Sequence, residues 1–166
     1  MQTDDPESAR THLARGGVLL MTDVLEHVAD DHQLFRAALA VVPAGGHLVL
    51  TVPCDPGLWS MHDREFSHYR RYRLDQFRAL WAGAPVDERL CSPFNSRLRP
   101  AVALVRRLGR GRRPRPSGDL GISAGPLNGL LTRIFAGEAP ALVGALDRGR
   151  APFRHGVSLV AVLRRR

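Results

Sequence analysis

Two titratable side chains, Glu26 and His27, stand side by side directly after an apolar run of the chain. The unperturbed pKa of histidine lies close to neutrality, so His27 could accept a proton from a reacting group near pH 7. Glu26 could act with it, or it could place negative charge at the amino end of the next helix. A hydrogen-bonded structural role is the alternative interpretation of His27.

A second group of chemically capable side chains lies in an irregular, aromatic-rich segment further along the chain. Side chains of this kind, close together, could shape a pocket for a substrate: Trp59, His62, Asp63, His68, Tyr69, Arg71 and Tyr72. His62, Asp63 and His68 invite a metal interpretation, but their spacing through a loop is not typical of a metal site. We therefore predict no metal ion here.

The elements that must position these groups begin with a strand–helix–strand unit. The runs 18–22 and 47–52 are continuously apolar, as in strands that are buried on both faces of a parallel sheet. Segment 30–42 between them has the apolar spacing of a one-sided helix, carried by Leu34, Ala37, Ala38, Val41 and Val42.

The ends of this helix and of the two strands are also marked in the sequence. Asp30 or Asp31 can cap the helix, and Pro43 followed by two glycines ends it. Parallel strands end at the same edge of a sheet, where open α/β proteins bind ligands. The turns that begin at Asp23 and Pro53 should therefore open into one crevice.

The rest of the chain continues the alternation of helices and strands. We predict helices over 74–82, 98–108, 126–135 and 139–146, and strands over 86–91 and 157–163. Residues 18–166 would then form one domain, with 98–147 a helical insertion before the last strand and 1–17 a remnant segment. Because 1–17 is short and polar, the edge of strand 18–22 would need a partner or a missing segment to cover it.

Several motifs occur in a consistent order along this framework. They are Asp23–Val28 (DVLEHV), 43–53 (PAGGHLVLTVP), 58–63 (LWSMHD) and 68–72 (HYRRY). Over about residues 18 to 164, this series resembles class I S-adenosylmethionine-dependent methyltransferases of the type 11/12 kind. The resemblance implies an α/β, Rossmann-like fold that is incomplete: it lacks the first three strands and carries extra helices before the last one.

The resemblance also implies a reaction and a set of site residues. A methyl group would pass from S-adenosylmethionine to a small-molecule or lipid-like acceptor, with Asp23, Val24 and Leu25 lining the cofactor. His27 and Glu26 would be the catalytic pair, and the aromatic-rich segment would form the acceptor pocket. The family's glycine-rich loop and ribose-binding acid are not found in this sequence, so we expect the chain alone to bind the cofactor weakly or not at all.

The charge of the chain leaves other functions open. All 24 basic residues are arginine and the formal net charge is +8. The run 106–115 has no recognition-motif spacing, so we predict no specific nucleic-acid partner. Segment 98–115, with an apolar face and with Arg106 and Arg107 turned away from it, could contact an anionic membrane.

Two expectations concern the setting of the chain and a rival function. Cys54 and Cys91 cannot make a disulfide framework and fit a reducing cytoplasm. The alternative to an enzyme is a non-catalytic interaction module that uses the exposed sheet edge and the arginine-rich surface.

Overall fold

The fold is an alternation of strands and helices around one mixed sheet, seen in a computed structural model that describes residues 17–108, 126–146, 148 and 150–166. The strands are β1 (Val18–Thr22), β2 (His47–Pro53), β3 (Val86–Phe94) and β4 (Ser158–Arg165). The helices are α1 (Asp31–Val41), α2 (Met61–Glu65), α3 (Leu74–Ala79), α4 (Arg99–Leu108), α5 (Pro126–Ala136) and α6 (Ala139–Ala145). Short 3-10 turns occupy Leu25–His27 and Pro56–Leu58.

The sheet has the strand order β1-β2-β4-β3. β1 runs parallel to β2, as the sequence predicts, and Thr22 lies opposite Thr51 at their carboxyl ends. β4 is antiparallel to both of its neighbours, β2 and β3. The fold is therefore mixed α/β, with the turns after β1 and β2 at one edge of the sheet.

One face of the sheet carries the core. Leu48, Leu50 and Val52 of β2 lie beside Leu159, Ala161 and Leu163 of β4, and all six side chains are buried. Two aromatic side chains from the helices join this cluster, Phe35 of α1 and Phe77 of α3. Burial of such side chains contributes on the order of 2 kcal/mol each, so this layer fixes where the strand ends lie.

Helix α1 has the predicted ends, and its buried face matches the predicted one in part. Asp30 is its cap and accepts a hydrogen bond from the Gln33 amide at 2.8 Å. Of the predicted face, Ala38 and Val42 are buried and Leu34 packs against the core, whereas Ala37 is exposed and Val41 only half-buried. The prediction misses Phe35 and Leu39, which are buried beside Ala38.

The prediction that the two strands are buried on both faces is also wrong for the described residues. Val18 and Leu20 of β1 are 51% and 63% exposed. In β2, buried residues alternate with half-buried ones. No described strand pairs with the outer side of β1, so the predicted cover of this edge by a partner or a further segment stays a prediction.

Helix α4 departs from the predicted orientation at Leu104 and Arg106, whereas Arg107 is exposed as predicted. Leu104, expected on a packed apolar face, is 58% exposed. Arg106, expected to face away, turns inward and donates hydrogen bonds to the main chain and to Asp63. Tertiary contacts here outweigh the apolar pattern. Residues 109–115 of the proposed membrane-contact segment lie outside the described residues, and no described helix is long and apolar enough to cross a membrane.

The close packing of Gly156, just before β4, against Phe94 leads to a prediction about stability. A Cβ atom added to Gly156 would collide with the Phe94 carbonyl oxygen and lie 2.8 Å from the Phe94 amide nitrogen. Gly156→Ala should therefore lower the free energy of unfolding by about 1 to 3 kcal/mol, the usual cost of overpacking. Urea denaturation monitored by circular dichroism measures this.

A matched control lies in helix α6. A Cβ at Gly144 would meet open space, so Gly144→Ala should leave stability unchanged or raise it by up to about 1 kcal/mol. Equal midpoints for the two variants would contradict the predicted contact between Gly156 and Phe94.

Candidate functional site

The candidate site begins at the turn after β1. Asp23 has a left-handed backbone conformation, with φ of 52°, which aspartate tolerates better than most residues. Its amide donates to the Thr51 carbonyl at 3.0 Å and contacts the Thr51 hydroxyl at 3.2 Å. These bonds join the turn to the end of β2, two residues before Pro53. The expectation that Asp23 and Pro53 share one edge of the sheet is confirmed.

The two residues after Asp23 differ in what they present. Val24 is 38% exposed, whereas Leu25 is fully buried in the core cluster. Only the main chain of Leu25 could reach a ligand. The structural alternative for its side chain, ordinary core packing, is the one found.

Glu26 is a fully buried carboxyl group. Neither of its carboxylate oxygens has a hydrogen-bond partner among the described residues. Burial raises the pKa of Glu26 to about 7, and the charge of Asp23 adds to the rise. The Glu26 amide and the charge of Arg71 offset this only in part. Glu26 can therefore hold or release a proton near neutral pH.

Two imidazole rings lie next to this carboxyl group. His27 Nε2 is 3.9 Å from Glu26 Oε1, and 37% of the His27 side chain is exposed. The ring of His68 meets the ring of His27 edge to face, with centroids 4.6 Å apart. The Tyr69 amide donates to the Glu26 carbonyl at 2.7 Å, which holds the loop of His68 against the turn. Sequence separation gives no sign of this meeting between residues 26–27 and 68.

A second buried carboxylate, Asp63, anchors the aromatic-rich segment. It accepts hydrogen bonds from the Ser60 amide and hydroxyl at 2.8 and 2.9 Å. Arg71 Nε donates to it at 2.6 Å, with 3% of the Arg71 side chain exposed. Its Oδ1 lies 3.2 Å from His68 Nδ1. Burial acts to raise the pKa of Asp63, but Arg71 and Ser60 outweigh it and the pKa is lowered, so Asp63 is ionised at neutral pH.

A third carboxylate, Asp31, ties the end of this segment to helix α1. The Tyr72 hydroxyl donates to Asp31 at 2.7 Å, and Arg70 forms an ion pair with it at 2.6 Å. Burial raises the pKa of Tyr72, and the charge of Asp31 raises it further. Tyr72 therefore acts as a neutral hydrogen-bond donor and not as a base.

The seven predicted pocket residues thus fall into two groups. Asp63, Arg71 and Tyr72 are buried and satisfied by partners within the chain. Trp59 and His68 are partly exposed, and His62 and Tyr69 are exposed. The ring of His62 packs on Phe66. Only the second group presents surface to a ligand.

Two contributors to the site are missed by sequence reasoning. The pair Ser60–Asp63 has the spacing of a capping box, a signal that would have predicted helix α2 in a segment interpreted as irregular. Arg106 reaches the Leu58 carbonyl and lies 3.5 Å from Asp63. No local pattern indicates that contact, because 43 residues separate the two side chains.

Known proteins show only distant similarity to the chain. No family model and no curated protein matches the chain. Three solved structures are similar over 89% of it: the complex between the Haloferax volcanii Trm112 methyltransferase activator and a methyltransferase (9% identity, TM-score 0.45), the [4+2]-cyclase SpnF (15%, 0.45), and Haemonchus contortus phosphoethanolamine N-methyltransferase 2 with S-adenosyl-L-methionine (15%, 0.46).

The chain spans only part of each of these structures, 53%, 50% and 33% of their lengths respectively. Similarity at this level of identity and TM-score does not decide the family or the activity of the chain.

The buried ion pair of Asp63 generates the second prediction. Asp63→Asn leaves Arg71 buried without a counter-charge, and breaking such a pair costs about 3 to 5 kcal/mol. We expect the urea midpoint to fall accordingly.

The matched control is Asp87→Asn, which removes a carboxylate whose Arg166 partner lies 3.5 Å away at the surface, with side chains 61% and 47% exposed for Arg166 and Asp87. Exposed pairs contribute little, so this variant should unfold like the wild type. If the Asp63→Asn variant is as stable as the Asp87→Asn variant, the anchoring role of Asp63 is contradicted.

Proposed function

We propose that this chain provides part of the site of an S-adenosylmethionine-dependent methyltransferase of the type 11/12 kind, acting on a small-molecule or lipid-like acceptor. The observation that carries the proposal is the junction of the turns after β1 and β2, made by the bonds from the Asp23 amide to Thr51. The motif series that resembles the family begins at this junction. Ligands of open α/β sheets bind at such an edge.

When bound, S-adenosylmethionine supplies an electrophilic methyl group on a positively charged sulfonium. The exposed carboxylate of Asp23 provides negative charge on this side, and Val24 offers exposed apolar surface beside it. These residues fit one part of the cofactor. In the described residues no glycine-rich turn follows a strand, so a donor set for the rest of the cofactor is not provided by this part of the chain.

On the side of the methyl acceptor, we assign the role of general base to Glu26 or His27. The raised pKa of Glu26, about 7, suits general-base work near neutrality. His27 is the more accessible of the two. The exposed members of the aromatic-rich segment, Tyr69 and His62, would face the acceptor, while Asp63 and Arg71 hold the segment in place.

The interaction module remains the second candidate, because a specific observation favours it. Val18 and Leu20 leave apolar side chains exposed on a strand whose outer edge has no partner among the described residues. Such strands pair readily with another chain.

The third prediction tests cofactor binding by amide chemical shifts. Titration with S-adenosylmethionine and with S-adenosylhomocysteine should move the amide signals of residues 23–27. The dissociation constant should be about 1 mM, or about 4 kcal/mol of binding free energy. Asp23→Asn should weaken the binding of S-adenosylmethionine more than that of S-adenosylhomocysteine, because it removes the negative charge beside the sulfonium. The difference should reach about fivefold at most, since an exposed charge pair contributes at most about 1 kcal/mol.

Asp87→Asn is the control, since it removes one exposed carboxylate far from this turn. AMP serves as a second control for non-specific attraction of anions to the basic chain. Absence of shifts at 23–27 at 10 mM ligand, on the order of ten times the expected dissociation constant, would contradict the proposed function. Micromolar affinity would contradict only the expected incompleteness of the site.

A further inference from the structure

The turn at 25–27 brings three potential metal ligands together. Glu26, His27 and His68 each offer one donor atom, and these atoms all lie within 4.8 Å of one another. Glu26 is fully buried, and within the described part of the chain both of its carboxylate oxygens lack hydrogen-bond partners. A buried carboxylate without a donor is costly, and a cation is one of the few partners that can satisfy it. The methyl-transfer proposal uses Glu26 as a proton acceptor but supplies no partner for its carboxylate.

His68 is already oriented by an outer carboxylate. Its Nδ1 lies 3.2 Å from Oδ1 of Asp63. Because Asp63 is ionised and can only accept, Nδ1 must carry the ring proton, and Nε2 keeps its lone pair free. Metal-bound histidines characteristically make this second contact, which fixes the ring and its tautomer. Arg71 and Ser60 hold Asp63 in turn.

We propose that Glu26, His27 and His68 bind a divalent transition-metal ion of the zinc type. Two imidazoles and one carboxylate suit zinc and its neighbours, whereas magnesium and calcium prefer oxygen ligands. A tetrahedral ion with bonds of about 2.1 Å holds its donors about 3.4 Å apart, so the donor atoms must approach one another by up to about 1.4 Å. His27, whose side chain is 37% exposed, has room to rotate toward such an ion.

The site leaves one coordination position open. Three protein ligands and one free position are typical of catalytic rather than structural zinc sites. A bound ion would occupy the lone pairs of Glu26 and His27 that a general base needs, so ligand and base are alternative roles for these residues.

The test is metal binding to the whole chain, which does not depend on methyl transfer. Zn²⁺ is titrated in competition with a chromophoric chelator, and Co²⁺ is titrated for its visible absorption. We expect one ion per chain. Glu26→Gln and His27→Gln should each weaken Zn²⁺ binding by more than about 100-fold, since loss of even an outer-shell partner typically costs 10- to 100-fold.

His32→Gln is the matched control, because His32 is exposed and lies outside the cluster. Its Zn²⁺ affinity should equal that of the wild type. Glu26→Gln keeps the size of the side chain and removes the buried charge, so the variant should fold, which circular dichroism checks.

Three results would overturn the proposal. They are wild-type Zn²⁺ affinity in folded Glu26→Gln, equal losses in His32→Gln and His27→Gln, or Mg²⁺ displacing Co²⁺ from the site at equal concentration. The amide titration with S-adenosylhomocysteine reports separately on the methyl-transfer site, so the two proposals can fail independently.

Discussion

The rest of the site depends on the interactions of one buried carboxylate, that of Asp63. Removing a carboxylate from water is costly, and it is tolerated only with charged and hydrogen-bonding partners in good geometry. Asp63 has them in Arg71, Ser60 and His68. Arg71 also donates to the Cys54 carbonyl at 2.9 Å, just after β2. One ionic centre therefore fastens the segment 60–72 to the end of the sheet.

The segment that Asp63 anchors also contacts the turn after β1. The His68 ring is fixed on Asp63 and meets the ring of His27. The Tyr69 amide holds the Glu26 carbonyl. Glu26 is buried beneath these contacts, and no residue that the structure describes hydrogen-bonds to its carboxylate. Segment 60–72, which Asp63 anchors, covers this turn. Because of that cover, Glu26 can act as a proton acceptor near neutral pH or as a metal ligand.

Sequence patterns predict the frame of the fold well, because its signals are local. Two apolar runs and the Asp30 cap define β1, α1 and β2, and parallel pairing follows from their order. The buried face of α1 is predicted only in part, because two overlapping sets of apolar residues, offset by one position, satisfy helical spacing almost equally. Only packing against Trp81 and the sheet selects the set that contains Phe35. The inward turn of Arg106 is missed because its partners are distant in sequence.

The candidate site is predicted as a set of residues but not as an arrangement. The sequence places Glu26 and His27 beside a strand end, yet nothing local indicates that His68 joins them or that Asp63 is an anchor rather than a pocket wall.

The most direct test of Asp63 as the anchor is the tautomer of His68, read from long-range ¹H–¹⁵N correlations of the imidazole nitrogens. Burial lowers the pKa of His68, so the ring is neutral at pH 7. We predict that the proton is on Nδ1, directed at Asp63, and a proton on Nε2 instead would contradict the anchoring role of Asp63.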